Sequence, residues 1–380
     1  MVLGEAFHRR AAKLLSERLA ALGKHAALLF DPANIRYISG LPVAPTDRPL
    51  AACVWANGNA ALFVPQLEAE RLASGWIRDI RWYAEYPAAE ESPVRWMARE
   101  AGGPLVVDAG ASAAAWRSIL EEVEEAEHQD LVAEQRMIKS PAEIALIERA
   151  AEYADLALER AFARLTTGST ERDVVAEIVS TVDGFMRQEL GDDYDAPGPA
   201  ITGSVQSGTR TALPSAPTSG RPLARGDCVI VEFTANVGGY HAQAGCTFFV
   251  GDPLRDVVHW VESAMHAQAA ALEAMSVGAT AESIDLAARK TLERLGLGAN
   301  IRHRTGHGIG LAVREAPWLT RSQTTPLEAG MVLVARPGIY ISGRIGARNT
   351  RTVVIEPDGP RVLNPRIDRW DKMEARLKEF

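Results

Sequence analysis

The sequence predicts an α/β N-terminal domain followed by an α+β domain that repeats its own architecture. Three observations carry this reading. The chain has 380 residues, more than one hydrophobic core usually serves. Its first part alternates short apolar strands with helices, and its second part uses a helix pair followed by strands twice. Hydrophobic residues make up 47% and charged residues 24%, which excludes a disordered chain, a collagen and a membrane protein. Lys and Arg number 41 against 49 Asp and Glu, a net charge of −8, which argues against a nucleic-acid binder.

From the N-terminus, Phe7, Leu14, Leu15, Leu19 and Leu22 recur at helical spacing among charged residues. This predicts an amphipathic helix and not a signal peptide, since no uncharged apolar stretch and no cleavage site follow. Strands are expected at His25–Phe30, Cys53–Trp55, Ala60–Val64 and Leu105–Val107, each bounded by Gly, Pro or Asn. Helices are expected at Glu68–Ser74, Val94–Ala101 and Ser112–Glu127, with the acidic end of the last on a solvated face. Cys53, Cys228 and Cys246 are few and widely spaced, so neither a disulfide framework nor a cysteine zinc site is expected, and a reducing cytoplasm is the default. No run of 18 apolar residues occurs, so no membrane span is expected.

Ser140-Pro141-Ala142-Glu143 marks a sharp helix start, with Ser140 as cap, Pro141 in the first turn and Glu143 completing a capping box. The domains are therefore read as 1–138 and 139–380. Helices over 143–166 and 170–190 precede strands at 228–235 and 244–250; helices over 254–275 and 280–295 precede strands at 331–336 and 350–356. This repetition predicts a pseudo-twofold domain, with a ligand site between its halves.

Several motifs in this second domain resemble the pita-bread superfamily, which includes aminopeptidase P, prolidase, creatinase and ectoine hydrolase. They are Gly226–Glu232, Gly239-Tyr240-His241, Thr247–Gly251, His303–Leu311, Glu315-Ala316-Pro317, Gly330-Met331-Val332, Pro337–Tyr340 and Gly346-Ala347-Arg348. Upstream, Asn34–Gly40 is similar to a segment of the creatinase-type N-terminal domain. Ordered motifs at family spacing cover nearly the whole chain, and such a series is far more specific than a single glycine-rich match. The resemblance implies a creatinase-type N-terminal domain and a pita-bread C-terminal domain with pseudo-twofold symmetry.

Metallopeptidases of the superfamily hold two divalent ions with two Asp, one His and two Glu, and the ions activate water. At the corresponding positions this chain has Glu232, Gln243, His307, Arg336 and Thr350. A guanidinium at a ligand position repels a cation, so the site is expected to hold no metal and no cofactor. Two family histidines are also replaced, by Ser215 and Arg314. His307, Glu232 and Glu315 remain as candidates for moving protons; the alternative for His307 and Glu315 is a buried structural role. Arg336 and Arg348 would converge on the pocket, with Gln243, Thr350, Tyr240, His241 and Ser215 completing a substrate-binding set. Arg336 either binds a carboxylate of the ligand or merely neutralises Glu232. In creatinase-like homodimers a partner loop closes the site; Pro42–Pro49, with Arg48 at its tip, is the corresponding stretch, or else a solvated loop.

Three functions follow as expectations. The leading one is a metal-independent, hydrolase-like enzyme, cytoplasmic and homodimeric, cleaving a C–N bond in a small carboxylate-bearing, anionic molecule. The second is a catalytically silent binding protein for a small molecule or a protein. The third is an active metal-dependent Xaa-Pro peptidase.

Overall fold

The structure is a computed structural model that describes residues 3–44, 46–84, 91–196, 198–252 and 255–364. Pro45 of the expected loop, position 254 of an expected helix and residues 365–380 of the second domain lie outside the described residues. The chain divides into two compact units between Arg136 and Met137.

The N-terminal unit is built on six strands: β1 (Ala26–Leu29), β2 (Ala51–Trp55), β3 (Ala60–Pro65), β4 (Asp79–Tyr83), β5 (Leu105–Val107) and β6 (Ala126–His128). Their order is β4-β3-β2-β1-β5-β6, with an antiparallel β1–β2–β3 centre and parallel pairing outside it. Helices α1 (Glu5–Ala21), α2 (Pro32–Ser39), α3 (Gln66–Leu72), α4 (Pro93–Ala101), α5 (Ala113–Leu120) and α6 (Leu131–Met137) accompany it. The expected Ser112–Glu127 helix is instead α5, a turn and strand β6. Its acidic end forms ion pairs, Glu125 and Glu127 both meeting Lys24. In α1 the buried stripe is His8, Ala11, Ala12, Leu15 and Leu19. Leu14 and Leu22 are 46% and 48% exposed, because small residues at helical spacing, not the leucines alone, set the packed face.

Asn34, in the segment that carried the N-terminal resemblance, has a structural task. Its Nδ2 donates to Asp108 Oδ2 (2.8 Å), and Arg136 Nη1 donates to its Oδ1 (2.7 Å). Asp108 also accepts from the backbone of Phe30, Asp31 and Gly110, tying the end of β5 to the start of α2. Satisfying a buried carboxylate four times over fixes this corner of the unit.

The second unit opens with α7 (Pro141–Phe162), where Ser140 and Glu143 form the expected capping box. Helix α8 (Glu171–Leu190) is capped likewise by Thr170 and Asp173. Strands β7 (Ile201–Ser207), β8 (Cys228–Val237) and β9 (Tyr240–Phe249) form an antiparallel sheet. Helices α9 (Arg255–Glu273) and α10 (Ala281–Arg294) precede the second half. It comprises β10 (Gly306–Gly308), β11 (Glu315–Leu319), β12 (Val332–Ala335), β13 (Gly338–Ile341), β14 (Ile345–Arg348), β15 (Arg351–Glu356) and β16 (Gly359–Val362). The larger sheet runs β11-β10-β12-β15-β16, and β13 pairs with β14.

The two sheets of this unit are joined at Gly245 and Thr350, which exchange backbone hydrogen bonds of 3.1 and 2.9 Å. A Cβ on Gly245 would lie 3.0 Å from Thr350 Oγ1, so glycine keeps the seam tight. Apolar residues of α9, α10 and the larger sheet pack into one cluster behind the seam. The residues facing the seam are the ones the sequence marks as a site. Among the described residues no helix is long and apolar enough to cross a membrane.

Candidate active site

Glu232 on β8 stands at the centre. Its Oε1 lies 3.3 Å from Arg336 Nη2, its Oε2 lies 3.4 Å from Arg348 Nε, and Thr350 Oγ1 donates to Oε2 at 2.7 Å. Burial alone would raise its pKa, but the two guanidinium charges and the Thr350 hydroxyl outweigh it and hold the carboxyl at about 2. Arg348 is 4% exposed, and the carboxylate raises its pKa despite burial. Arg336 goes the other way: burial and the facing Arg348 and Arg314 charges lower it, against the pull of Glu232. Both remain cations, since arginine stays protonated in proteins.

A polar chain leads away from this pair. Arg348 Nη1 donates to the Tyr340 hydroxyl at 3.1 Å, and that hydroxyl lies 2.8 Å from His303 Nε2. His303 Nδ1 is 2.8 Å from the Arg304 carbonyl, which can only accept, so Nδ1 carries the proton. Tyr340 therefore donates to Nε2 of a neutral ring. Burial and the Arg348 and Arg336 charges depress the His303 pKa to about 4, consistent with that tautomer.

His307 sits on β10 between two glycines for a steric reason. A Cβ on Gly306 would fall 1.9 Å from the Val334 carbonyl oxygen, and one on Gly308 would fall 2.2 Å from that of Ala316. The glycines let β10 close onto its neighbours. The His307 Nδ1 meets the Gly308 carbonyl at 2.9 Å, while its buried Nε2 has no hydrogen-bond partner. Burial, then Arg336, Arg314 and Arg304, lower its pKa to about 4. Nε2 is thus a free lone pair on a neutral ring.

Arg336, Arg348, His303 and His307 line a cavity of about 900 Å3, with Arg302, Arg304 and Arg314 around them. Leu213, Pro214, Ser215 and Ala216 form another wall. The other expected site residues lie elsewhere. Gln243 is buried, its Nε2 on Thr234 Oγ1 at 3.1 Å and its Oε1 unpartnered. Tyr240 donates to Glu143 at 2.9 Å, and His241 is held between Asn236 and the Gly310 carbonyl. Glu315 is buried against Lys139 at 2.7 Å and faces that ammonium rather than the cavity. Arg48 belongs to the N-terminal unit, 3.7 Å from Asp47 and lining a separate cleft of about 380 Å3. Sequence reasoning did not count His303, Tyr340, Arg302 or Arg304 as site residues. The one available signal was Arg302-His303-Arg304, a basic triplet in an acidic chain.

Two divalent ions need several anionic ligands around them. Here Glu232 is engaged by two guanidinium groups, and Gln243, Arg336 and Thr350 supply no charge of the required sign. Among the described residues no cluster of three or more His, Cys, Asp or Glu could hold a metal ion. These side chains do not fit a dinuclear centre.

Comparison with known proteins places the chain. The description "Metallopeptidase family M24" matches residues 145–357, and "Creatinase/Prolidase N-terminal domain" matches residues 11–138. A protein named Xaa-Pro dipeptidase from Pyrococcus furiosus is 35% identical over 234 residues, 62% of this chain and 65% of that relative. The probable dipeptidase PepE of Mycobacterium tuberculosis is 36% identical over 236 residues, 62% of this chain and 60% of the relative. The alignments thus span less than two thirds of these relatives' lengths. Over nearly the full chain, the structure of dipeptidase PepE from Mycobacterium ulcerans superposes with a TM-score of 0.85 at 28% identity, covering 96% of this chain and 97% of that one.

These relatives overturn the leading functional expectation. A metal-independent enzyme of some other C–N bond is not what the family supports; proteins named for peptidase activity at this level of identity favour a peptidase. The expectation of a pita-bread fold with a creatinase-type N-terminal domain stands on the same comparisons. With the M24 match covering more than half of its length, the chain belongs to metallopeptidase family M24.

Proposed function

We propose that this chain is a peptidase of short peptides, Xaa-Pro dipeptides in the first place, and that the arginines of its cavity hold the peptide's carboxylate. The observation that carries the reading is a cavity of about 900 Å3 within the M24 segment, large enough for a dipeptide and lined by guanidinium groups.

The side chains around it can do three things. Arg336, already turned towards a carboxylate, is suited to bind a second one as a planar fork. His307 Nε2, neutral and unpartnered, can accept a hydrogen bond or a proton from the bound peptide. Glu232, held at a pKa of about 2, is a weak base at neutral pH and acts as counter-ion and anchor for the two arginines.

The test is hydrolysis of Ala-Pro, Gly-Pro and Leu-Pro, followed by release of free proline. Parallel reactions contain EDTA, Mn²⁺, Co²⁺ or Zn²⁺. Release of proline in any of them supports the reading, and no release in all of them overturns it. We also infer a cytoplasmic homodimer. Three buried free cysteines, Cys53, Cys228 and Cys246, suit a reducing compartment. The dimer is the assembly that resemblance to creatinase-like proteins implies; analytical ultracentrifugation measures it.

A further inference from the structure

Among the described residues, five arginines line one cavity and no carboxylate lines it with them. Glu232, behind the wall, compensates Arg336 and Arg348 together with a single charge. Arg302, Arg304 and Arg314 form no ion pair with a described residue. Elsewhere this chain does the opposite. Arg71, Arg81, Arg95, Arg99, Arg221 and Arg361 each meet a carboxylate at or near the surface. An acidic protein of net charge −8 has therefore gathered uncompensated positive charge at one place. Clefts lined by one sign of charge concentrate ligands of the other sign.

The arrangement has two levels. Arg348 is buried and Arg336 is mostly shielded, whereas Arg302 and Arg314 are exposed at the opening. Arg304 is fixed between them, its guanidinium stacked 4.0 Å from the centre of the Trp318 ring. Arg314 lies close enough to repel the Arg304 charge, which lowers the Arg304 pKa along with burial. One carboxylate bound at the floor would leave these outer cations unanswered.

We propose that the ligand carries two anionic groups, one met by Arg336 and Arg348 at the floor and the other by Arg304 and Arg314 near the opening. This rests on the peptide reading, under which the ligand is a dipeptide with an acidic side chain besides its terminal carboxylate. The inner group would share the guanidinium face now turned to Glu232. The outer group would find planar donors held in place by stacking, with little ordering left to do.

Isothermal titration with Glu-Pro, Asp-Pro, Gln-Pro, Ala-Pro and the non-peptide dianion glutarate tests this. Acidic dipeptides are expected to bind about tenfold or more tightly than Gln-Pro, as charge-assisted hydrogen bonds imply. That preference should shrink as salt rises and disappear in Arg314→Glu, a change at an exposed site that leaves the buried pair intact. Arg304→Ala, checked for folding by circular dichroism, should also reduce it, weakening Glu-Pro binding more than Ala-Pro binding. Equal affinity for Glu-Pro and Gln-Pro overturns the two-anion inference and leaves the peptide reading standing. Binding of glutarate with no dipeptide bound supports two anionic groups and overturns the peptide reading. No binding by any of the five overturns the inference.

Discussion

A single carboxylate lodged between two buried guanidinium groups decides much of the chemistry at the residue scale. Removing the charge from Glu232 would leave Arg336 and Arg348 facing each other, largely shielded and with no counter-ion. Glu232→Gln should therefore cost about 3–5 kcal/mol of stability, read from urea unfolding, because the remaining partners of a broken buried pair are uncompensated. The pocket histidines give a second expectation. His303 and His307 have folded pKa values near 4, below the ordinary value of about 6.5 for the unfolded chain. Between these limits the unfolded state binds more protons. Stability from the neutral rings is complete above about pH 6.5 and is lost as pH falls towards 4. Each ring contributes a slope of at most about 1.4 kcal/mol per pH unit, so His303→Gln should halve their shared slope between pH 6.5 and 5. Groups facing His303 in that experiment are Tyr340, Arg348, Arg336, Glu232 and the Arg304 carbonyl. An unchanged pH profile in the variant would refute the assignment.

Backbone clearance governs the element scale. Gly306 allows β10 to pair with β12 because a methyl group there would meet the Val334 carbonyl at 1.9 Å. Gly306→Ala should lower the melting temperature by many degrees or abolish soluble expression. Gly184, in the exposed interior of α8, has open space around its would-be Cβ, and Gly184→Ala should stabilise by about 0.5–1 kcal/mol. Differential scanning fluorimetry separates the two. Elements with strong local signals were legible in the sequence, α7 most clearly, since the Ser140 cap, Pro141 and Glu143 agree. Short strands such as β10, β13 and β14 were not. At three or four residues each, they owe their extended form to partners far along the chain rather than to their own composition. The same holds for β6, where an acidic run that reads as helix is drawn into the sheet beside β5.

For the whole molecule, long-range polar ties matter more than the net charge. Lys139, at the start of the second unit, reaches Glu315 on β11 with both side chains buried. Lys139→Met should destabilise by about 3 kcal/mol or more, and adding Glu315→Leu should recover much of it, because the cost is the unpaired charge rather than the lost attraction. Chemical denaturation of the single and double variants gives the coupling. Additivity of the two changes would contradict the pairing. The chain as a whole carries −8, whereas the described lining of the cavity is positive. Only the folded arrangement shows that the two coexist.

The sequence by itself determined the architecture and the family resemblance, because these reside in residue types at set spacing. It also brought forward Glu232, Arg336, Arg348, Thr350 and His307, which do meet at the seam between the two sheets. What only the tertiary structure decided is which of the remaining candidates share that space. Glu315 and Tyr240 turn to Lys139 and Glu143, while His303 and Arg304 line the pocket and Tyr340 bonds His303 from behind it. The physical reason is that a side chain's partner depends on strand register and on the closest available opposite charge. Neither is encoded in the local stretch of sequence that carries the residue.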